Sequence, residues 1–476
     1  MRVGTGFLVV LLFSTLPAGA VRADQTPAHA DPFPRPAGLE PQVRFWRAIF
    51  AETSIHQVVL HDALHLDKVY KVLDFRPELE DGVSLAEVDR LQRIETDLEL
   101  ERIRATLLRL HALGPNAEGL TAEERAIHDL FADDPAPDRF LAAADEKRLR
   151  GQRGLRERFG DGLRVSRRYL PEMERIFREE GLPVELTRLP LVESCFNLHA
   201  YSKVGAAGIW QFMPATGRRF LRVDNLVDER RDPIFSTRAA ARFLAEMHGS
   251  LGAWPLAITA YNHGPEGLAR AVDQLGTTDI ATIVRNYHGN AFGFASRNFY
   301  AEFLAALDVE RNYREYFGNL PVEPAPRTHE RRLDRAIGIQ QAAHMAHADR
   351  EQLASLNPSL SSLVVAGRRP IPRGVRLRLP ESGAAGFETR LAEAPAEERI
   401  ERKVTPAVAH RTVRSARVRP AVLTYRVQRG QTLSHIAKRY RVSVASLRVT
   451  NGFDKAGRLR PGQTLRIPRS VRHSAA

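Results

Sequence analysis

The 476-residue sequence has a single cysteine, Cys195, and no internal apolar run long enough to span a bilayer. One cysteine excludes an internal disulfide. Because Cys195 lies far from the N-terminus, we expect no lipid anchor attached through a cysteine. Basic stretches interleaved with aromatic residues, which single-strand nucleic-acid binders use, are also missing. A nucleic-acid partner is therefore not expected.

The composition is typical of a soluble globular protein, with 43% hydrophobic and 27% charged residues. A chain of this length favours two or more domains. There are 70 Lys and Arg against 57 Asp and Glu, which gives a net charge of +13. Such a surface suits an anionic polymer, such as a cell-wall glycan with acidic stem peptides, and weak association with a membrane surface.

The N-terminus has the pattern of a secretory signal peptide. Arg2 precedes the apolar stretch Phe7 to Leu16, and small residues follow at Ala18 to Ala20 and again at Ala23. We assign residues 1–23 to the signal, cleaved after Ala20 or Ala23. The protein is therefore expected to be exported to the periplasm or cell envelope.

Composition and periodicity divide the first two thirds of the chain. Residues 24–40 are rich in Pro and Ala and are interpreted as a tether. Residues 41–150 are predicted to be helical, with capping signals at Ser84 and Thr121. Residues 151–318 are predicted to form a second helical unit, interrupted by Gly and Pro. Residues 319–330, with three prolines, are expected to be a linker.

His61 and His65 in the first helical region are four residues apart, a spacing that places both on one helical face. Metal ligation is conceivable there, but no third ligand is evident. Two structural histidines are the favoured interpretation, and no metal or cofactor is expected.

The C-terminal third contains an internal repeat. Aligning Asn357 with Asn451 relates residues 331–380 to residues 422–469, and each copy closes with a short strand signal. Helical spacing separates strand signals at the two ends of each copy. Residues 381–421 lack apolar periodicity and are interpreted as a flexible linker, and residues 470–476 as a tail.

Glu193 is the main candidate for chemistry. It follows an apolar helical stretch containing Leu186, Leu189 and Leu191. Apolar walls disfavour the charged form of a carboxyl group and raise its pKa from about 4.3 toward neutrality. A glutamic acid that keeps its proton near pH 7 can protonate a glycosidic oxygen. A capping or salt-bridged role is the structural alternative.

Two downstream segments carry further candidates. Ser202 and Gln211 lie nine and eighteen residues after Glu193, and Gly205 and Gly208 between them would let a substrate approach the backbone. Gln211 offers a donor and an acceptor to an amino sugar. Further on, Tyr261 and Asn262 place a phenol and an amide before a glycine.

Together these residues resemble the lytic transglycosylase family with the lysozyme-like fold, and within it the membrane-bound murein transglycosylase D branch. Glu193-Ser194, Ser202, Gln211 and the triplet Ala260-Tyr261-Asn262 match its motifs at the family spacing. The resemblance covers about residues 155–310 and, more loosely, 41–75. It implies Glu193 as the catalytic residue, and Ser202, Gly208, Gln211, Tyr261 and Asn262 as substrate-binding residues.

The second repeat resembles the LysM module, a small βααβ fold that binds the N-acetylglucosamine backbone of peptidoglycan or chitin. The residues that carry this resemblance, and that it implies as sugar-binding, are Gln431, Thr432, Leu433, Asn451 and Gly452. The first copy lacks the opening Gly-x-Thr-Leu element and is taken as degenerate. The expected fold class is thus mainly α, with a lysozyme-like catalytic domain, a helical N-terminal region and LysM modules.

The resemblance implies how one carboxyl group would suffice. Most glycosidases place two carboxyl groups on either side of the bond that they cleave. In this sequence only Glu193 is evident, because Asp228, Glu229 and Asp232 fit a salt-bridged loop equally well. In the family, the glutamic acid protonates the glycosidic oxygen of N-acetylmuramic acid. It then deprotonates the muramoyl 6-hydroxyl, which attacks its own anomeric carbon and leaves a 1,6-anhydro end.

Three other functions stay open from the sequence. A hydrolytic muramidase on the same fold would leave reducing ends. A thiol peptidase would use Cys195 with His199 or His263, although a small buried cysteine is common. A non-catalytic wall-binding protein is the third alternative. For the transglycosylase that the resemblance implies, peptidoglycan glycan strands are the expected partner, and the protein is expected to be monomeric.

Overall fold

The computed structural model describes residues 31–114, 118–321 and 324–393. It also describes residues 423–428, 432–433, 436, 440, 447, 450–451 and 462–467. The predicted signal peptide, most of the expected linker 381–421 and the tail lie outside these residues. Within the described part, no helix is long and apolar enough to cross a membrane.

The main body is helical, and its helices pack around the buried helix α14 (Phe294–Arg311). Its helices are α1 (Glu40–Ala51), α2 (Arg76–Glu80), α3 (Leu85–Leu113), α4 (Ala122–Asp129), α5 (Arg139–Ala143), α6 (Arg156–Ser166), α7 (Leu170–Glu179), α8 (Leu189–Ser194), α9 (Pro214–Gly217), α10 (Pro233–Leu251), α11 (Trp254–His263), α12 (Pro265–Leu275), α13 (Ile280–Asn286), α14 (Phe294–Arg311) and α15 (Tyr313–Phe317). Short 3₁₀ helices cover Ala37–Leu39, Val184–Arg188 and Glu229–Arg231. Helix α14 packs against α1, α8 and α11, and its Phe303 and Tyr300 are almost fully buried.

The region 41–150 is not purely helical, which corrects the prediction made for it. Three strands, β1 (Gln57–Asp62), β2 (Val69–Asp74) and β3 (Leu149–Arg153), form an antiparallel sheet in the order β2-β1-β3. Val59 of β1 faces the main core, whereas Val58 and Leu60 face a second core formed with α3 to α5. Because β1 is buried on both faces, it lacks the alternation by which a strand is recognised.

The two histidines do not share a helical face, so that premise was wrong. His61 is buried in β1 with its ring 4.5 Å from that of Phe45, while His65 is exposed in the following loop. Burial lowers the pKa of His61 to about 4. Among the described residues no cluster of three His, Cys, Asp or Glu side chains has metal-binding geometry.

The helix-start signals hold. Ser84 accepts a hydrogen bond from the Glu87 amide at the start of α3, and Thr121 forms a reciprocal capping box with Glu124 at α4. Both caps satisfy amides that would otherwise lack a partner in the first helical turn.

The expected tether is folded over its described residues, which corrects the prediction for 24–40. Phe33 is 5% exposed and meets the Phe303 ring edge-on at 5.2 Å between centroids. The Tyr300 hydroxyl donates to the Pro34 carbonyl at 2.7 Å, and Arg35 pairs with Asp308 at 2.7 Å. These three contacts hold the segment on the core, and its prolines reduce the conformational entropy that is lost when it becomes ordered.

The first repeat has the expected order of elements. It contains β4 (Thr328–Arg332), α16 (Ile339–Met345), α17 (Arg350–Leu356), α18 (Ser362–Val365) and β5 (Arg376–Pro380), with β4 and β5 antiparallel. Strand β4 begins inside the segment predicted as the 319–330 linker. Two helices, α19 (Glu381–Ala384) and α20 (Phe387–Glu393), then occupy the start of the expected flexible linker. Phe387 and Leu391, one helical turn apart, are buried in the core of the repeat, so this part of the linker prediction was wrong.

The second repeat also has a strand at each end. Strands β6 (Leu423–Arg426) and β7 (Thr464–Ile467) pair antiparallel. Among the residues of this repeat that the structure describes, six form a buried core: Val427, Leu433, Ile436, Leu447, Leu465 and Ile467.

Replacing Phe33 with Ala is expected to destabilise the protein by about 3–5 kcal/mol, because it removes an aromatic side chain from the main core. The measurement is the free energy of unfolding in denaturant. Leu64→Ala, at a loop residue 48% exposed, serves as the control and should change it little. Equal effects of the two substitutions would mean that residues 31–40 are a tether after all.

Candidate functional site

Glu193 lies near the end of the short helix α8, which begins with the buried residues Leu189 and Pro190. The chain then turns sharply, because Cys195 and Phe196 both adopt left-handed backbone angles with φ of 47° and 52°. Consecutive non-glycine residues in that region are costly and persist only where the surroundings hold them. The turn ends α8 directly after the Glu193-Ser194 pair.

A cleft of about 910 Å³ opens beside Glu193. One wall is α6 and the other is the segment from α8 into the turn; the residues that line it are Leu155, Arg158, Asp161, Gly162, Arg164, Val165 and 192–199. Gly162 lets the two walls approach, since a β-carbon there would lie 2.4 Å from the Cys195 carbonyl oxygen.

The carboxyl group of Glu193 has the proton affinity expected of an acid catalyst. The residue is only partly exposed, and burial raises its pKa to about 8. At neutral pH the protonated form therefore predominates. The sequence predicted this direction from the apolar residues that precede Glu193.

A second carboxyl group, Glu302 on α14, lies close enough to Glu193 for their charges to interact, which the sequence analysis did not foresee. Burial raises the pKa of Glu302 to about 8, with the Glu193 charge adding to the shift and Arg150 opposing it. Neighbouring carboxyl groups resist losing both protons. Glu302 is the one charged residue between Arg297 and Asp308 in the otherwise apolar α14, and this was the available signal.

Ser194 connects α8 to the loop that carries the next candidates. Its hydroxyl donates to the Ile209 carbonyl at 3.0 Å and accepts from the Asn197 amide at 3.2 Å. In that loop the Ser202 hydroxyl accepts from the Ala206 amide at 2.9 Å. Gln211, with φ of 47°, donates to the Gly208 carbonyl at 2.7 Å. Ser202 and Gln211 thus shape the loop through its own hydrogen bonds.

Gly208, which is predicted to bind substrate, has a packing role in the structure. The residue is buried with φ of 75°, and a β-carbon there would lie 1.9 Å from the Arg230 carbonyl oxygen. A glycine is required because two backbone segments cross.

Tyr261 is near Glu193, since the Glu193 charge adds to the effect of burial in raising the tyrosine pKa. Its hydroxyl, however, donates to the Trp210 carbonyl at 2.8 Å rather than to a carboxylate. Asn262 is exposed, and its amide oxygen accepts from the Ser296 hydroxyl at 3.0 Å. Tyr261 therefore joins α11 to the loop, while Asn262 faces solvent.

The three acidic residues that the sequence left ambiguous are structural. Asp228 pairs with Arg230 at 2.7 Å and Glu229 with Arg376 at 3.5 Å. Asp232 caps α10 and pairs with Arg378. With their charges compensated, these residues belong to an ion-paired loop.

Cys195 lacks the properties of a nucleophile. Burial raises the pKa of its thiol to about 11, so the thiolate is scarce at neutral pH. Of the two candidate bases, His199 is exposed, and His263 contacts the Ser296 hydroxyl at 3.3 Å and the Phe292 ring.

Two of the five LysM candidates, Leu433 and Asn451, stabilise the fold of the repeat. Leu433 is buried in the core of the repeat. The Asn451 amide donates to the Leu447 and Arg466 carbonyls at 2.7 Å, and its oxygen accepts from the Arg466 amide at 2.6 Å. Direct sugar contact by either side chain is therefore unfavourable. Thr432 stays a candidate, and Gln431 and Gly452 lie outside the described residues.

Family comparisons agree with the two motif sets. Residues 174–284 match the transglycosylase SLT domain, and residues 425–468 match the LysM domain. The chain therefore contains a transglycosylase SLT domain and a LysM domain, and the mainly helical fold class is confirmed.

The curated relatives extend the likeness. The chain is 30% identical over 297 residues to the membrane-bound lytic murein transglycosylase D of Escherichia coli K12, a match that covers 61% of each protein. The chain thus spans about three fifths of the length of that relative. A protein of Alteromonas sp. named for tributyltin chloride resistance is 40% identical over 99 residues, covering 20% of this chain and 48% of that one.

Among solved structures, an inactive mutant of the lytic transglycosylase Slt from Pseudomonas aeruginosa is 19% identical. It covers 53% of this chain and 39% of its own, with a TM-score of 0.29. A TM-score this low carries no argument about the fold.

Replacing Cys195 with Ala is expected to leave catalytic activity unchanged, because the buried thiol takes no part in the chemistry. Alanine has the same β-carbon constraint at a left-handed position, so the turn should be kept. Activity against purified cell-wall glycan and against a peptide substrate measures this. Loss of a peptidase activity on substitution would revive the thiol mechanism.

Proposed function

We propose that the protein is a peptidoglycan lytic transglycosylase that cleaves the β-1,4 bond between N-acetylmuramic acid and N-acetylglucosamine without water. The observation that carries this is the protonated carboxyl group of Glu193 beside an open cleft, within a transglycosylase SLT domain. An acid whose pKa lies near 8 can hold and deliver a proton at neutral pH.

In this mechanism Glu193 acts twice. It first protonates the glycosidic oxygen, so that the leaving sugar departs as an alcohol and the muramoyl anomeric carbon becomes electron-poor. The resulting carboxylate then takes the proton of the muramoyl 6-hydroxyl as that oxygen bonds to the anomeric carbon. The nucleophile is already attached to the reacting sugar, so a high effective concentration replaces a positioned water. The product is a 1,6-anhydro end, and Glu193 regains its proton.

The substrate-binding roles of Ser202, Gln211, Tyr261 and Asn262 belong to the same proposal. Asn262, which is exposed, would contact the sugar directly. The other three would act mainly through the shape of the loop, since their side chains form hydrogen bonds with its backbone.

Delivery to the cell wall is proposed from the two ends of the sequence. The N-terminal pattern would export the protein to the periplasm or cell envelope, and the LysM domain would hold it on glycan strands. The net charge of +13 would favour weak contact with acidic stem peptides or anionic headgroups. We propose a monomer.

A hydrolytic muramidase is the second candidate, and Glu302 is the observation that favours it. Most glycosidases use a pair of carboxyl groups that flank the bond to be cleaved. Because the pKa of Glu302 is also raised to about 8, it is mostly uncharged at neutral pH and poorly suited to serve as base or nucleophile. The transglycosylase is therefore the better-supported reaction.

Replacing Glu193 with Gln is expected to lower cleavage of purified sacculi by at least about 10²–10⁴-fold, because the amide cannot deliver a proton. Glu180→Gln, an exposed glutamate, is the matched control. Mass spectrometry of the released muropeptides separates anhydro from reducing ends by one water. Reducing ends from the wild type would favour the muramidase, and an inactive wild type would favour a wall-binding protein.

Activity is expected to fall as pH rises through about 8, because Glu193 then loses the proton it must donate. Glu302→Gln removes a neighbouring carboxyl group, so Glu193 should ionise more easily. The alkaline limb of kcat/KM should then move to lower pH by about one unit or less. Profiles of kcat/KM against pH measure both effects, and an unmoved limb would mean that the two carboxyl groups act independently.

A further inference from the structure

The first repeat is joined to the catalytic domain through the loop between α17 and α18. Leu360 of this loop forms a β-bridge with Val227 of the catalytic domain. The Asp228 amide donates to the Ser359 carbonyl at 2.8 Å, and the Ser361 amide donates to the Leu226 carbonyl at 2.9 Å. Val227 is 1% exposed and lies in the core of the repeat.

Two arginines of β5 strengthen the same interface. Arg378 makes a two-pronged ion pair with Asp232, with one N–O distance of 2.6 Å, and the side chains of the two are 13% and 1% exposed. Arg376 reaches Glu229 at 3.5 Å. Both guanidinium groups lie over the Phe235 ring, 4.6 Å and 3.8 Å from its centre. A paired and stacked guanidinium is suited to a fixed contact.

The two repeats share one pattern of hydrogen bonds at the start of this loop. Asn357 donates to the Leu353 and Arg378 carbonyls and accepts from the Arg378 amide. Asn451 makes the same three bonds to Leu447 and Arg466 in the second repeat. The loop after Asn357 is thus the counterpart of the segment that begins at Gly452. This is one of the two segments in which the LysM resemblance puts its sugar contacts, and Gln431, Thr432 and Leu433 form the other. In the first repeat the catalytic domain occupies that loop.

The contacts continue from this interface to the cleft. Asp228 pairs with Arg230, which is 2% exposed and donates to the Gly205 and Phe212 carbonyls at 2.8 and 2.9 Å. Those carbonyls bracket the loop that contains Gly208 and Gln211. The far side of the loop is held by Ser194 and Tyr261.

We propose that the first repeat is an internal brace, which binds the catalytic domain instead of a glycan and sets the position of the loop 205–212, to which Ser194 of the cleft is hydrogen-bonded. Arg378 is then a positioning residue that acts through the 226–232 segment and Arg230. The inference rests on the proposed function for its effect on rate, but the geometry of the brace does not depend on which reaction is catalysed.

The test is Arg378→Met in the full chain, which removes the charge and keeps an unbranched apolar side chain over Phe235. Well below the melting transition, kcat on soluble glycan strands should fall about ten- to hundredfold, because a small displacement of positioning groups is costly. KM should change by less than about threefold, because Arg378 lies away from the cleft. Amide hydrogen exchange should rise in residues 200–232 as well as in 355–380.

Two variants separate the brace from a general loss of stability. Arg331 lies on β4, the other strand of the same small sheet, and forms an exposed ion pair with Glu388 of α20. Arg331→Met breaks this pair and should leave kcat and exchange in 200–232 unchanged. Arg378→Lys keeps the charge and should recover part of the rate. Unchanged exchange in 200–232 with Arg378→Met would overturn the brace, whatever the reaction proves to be. Failure of the proposed reaction would instead leave the exchange result intact.

Amide hydrogen exchange also tests whether a glycan binds to the loop after Asn357. Chitohexaose added to full-length Glu193→Gln is expected to protect amides of the second repeat and not those of residues 357–375. Protection of residues 357–375 would overturn the proposal, because a glycan and the catalytic domain cannot both fill that loop.

Discussion

The central constraint on this structure is the free-energy cost of keeping the Glu193 carboxyl group away from water. A carboxyl group that ionises easily cannot hold a proton at neutral pH, so its surroundings must disfavour the charge. Helix α8 provides this by carrying Glu193 out of an apolar stretch and packing against α14. The left-handed turn at Cys195 and Phe196 then removes the chain from the carboxyl group within two residues. The buried core stabilises what would be an unfavourable arrangement in isolation.

The loop 205–212 is likewise held in place by residues outside it. Three side chains hold it by its carbonyl groups: Ser194 from α8, Tyr261 from α11 and Arg230 from the ion-paired segment. The bonds from the neutral Ser194 and Tyr261 hydroxyls contribute about 0.5–1.5 kcal/mol net each, and those from the charged Arg230 about 1.5–3 kcal/mol. Contacts from three directions leave the loop one arrangement. This is how side chains that need not touch a substrate still define the cleft.

Short-range patterns were readable from the sequence. Glu193 after an apolar stretch, the caps at Ser84 and Thr121, and the strands that close each repeat depend on residues close together in the chain, and the structure has all of them. The helical prediction from residue 41 onward likewise matches α1. The SLT and LysM motif sets were recognised as well, and the family comparisons match both segments.

What the sequence did not provide depends on distant partners. Glu302 becomes notable only because α14 packs against α8, and Gly208 is explained only by the Arg230 backbone that crosses it. Strand β1 is buried by two cores at once, which removes the alternation that would identify it. The folded N-terminal segment depends on Phe33 finding Phe303, 270 residues along the chain.

In each repeat one asparagine stabilises the core without help from the loop that follows it. With Asn357 or Asn451 locking the last strand to the preceding helix, the intervening loop can change length and sequence while the core stays intact. After a duplication, one copy is then free to acquire a protein surface as its ligand while the other keeps its original one. Small modules of this kind are a source of new internal scaffolding, since a recognition loop can be converted to an architectural one by local substitutions alone.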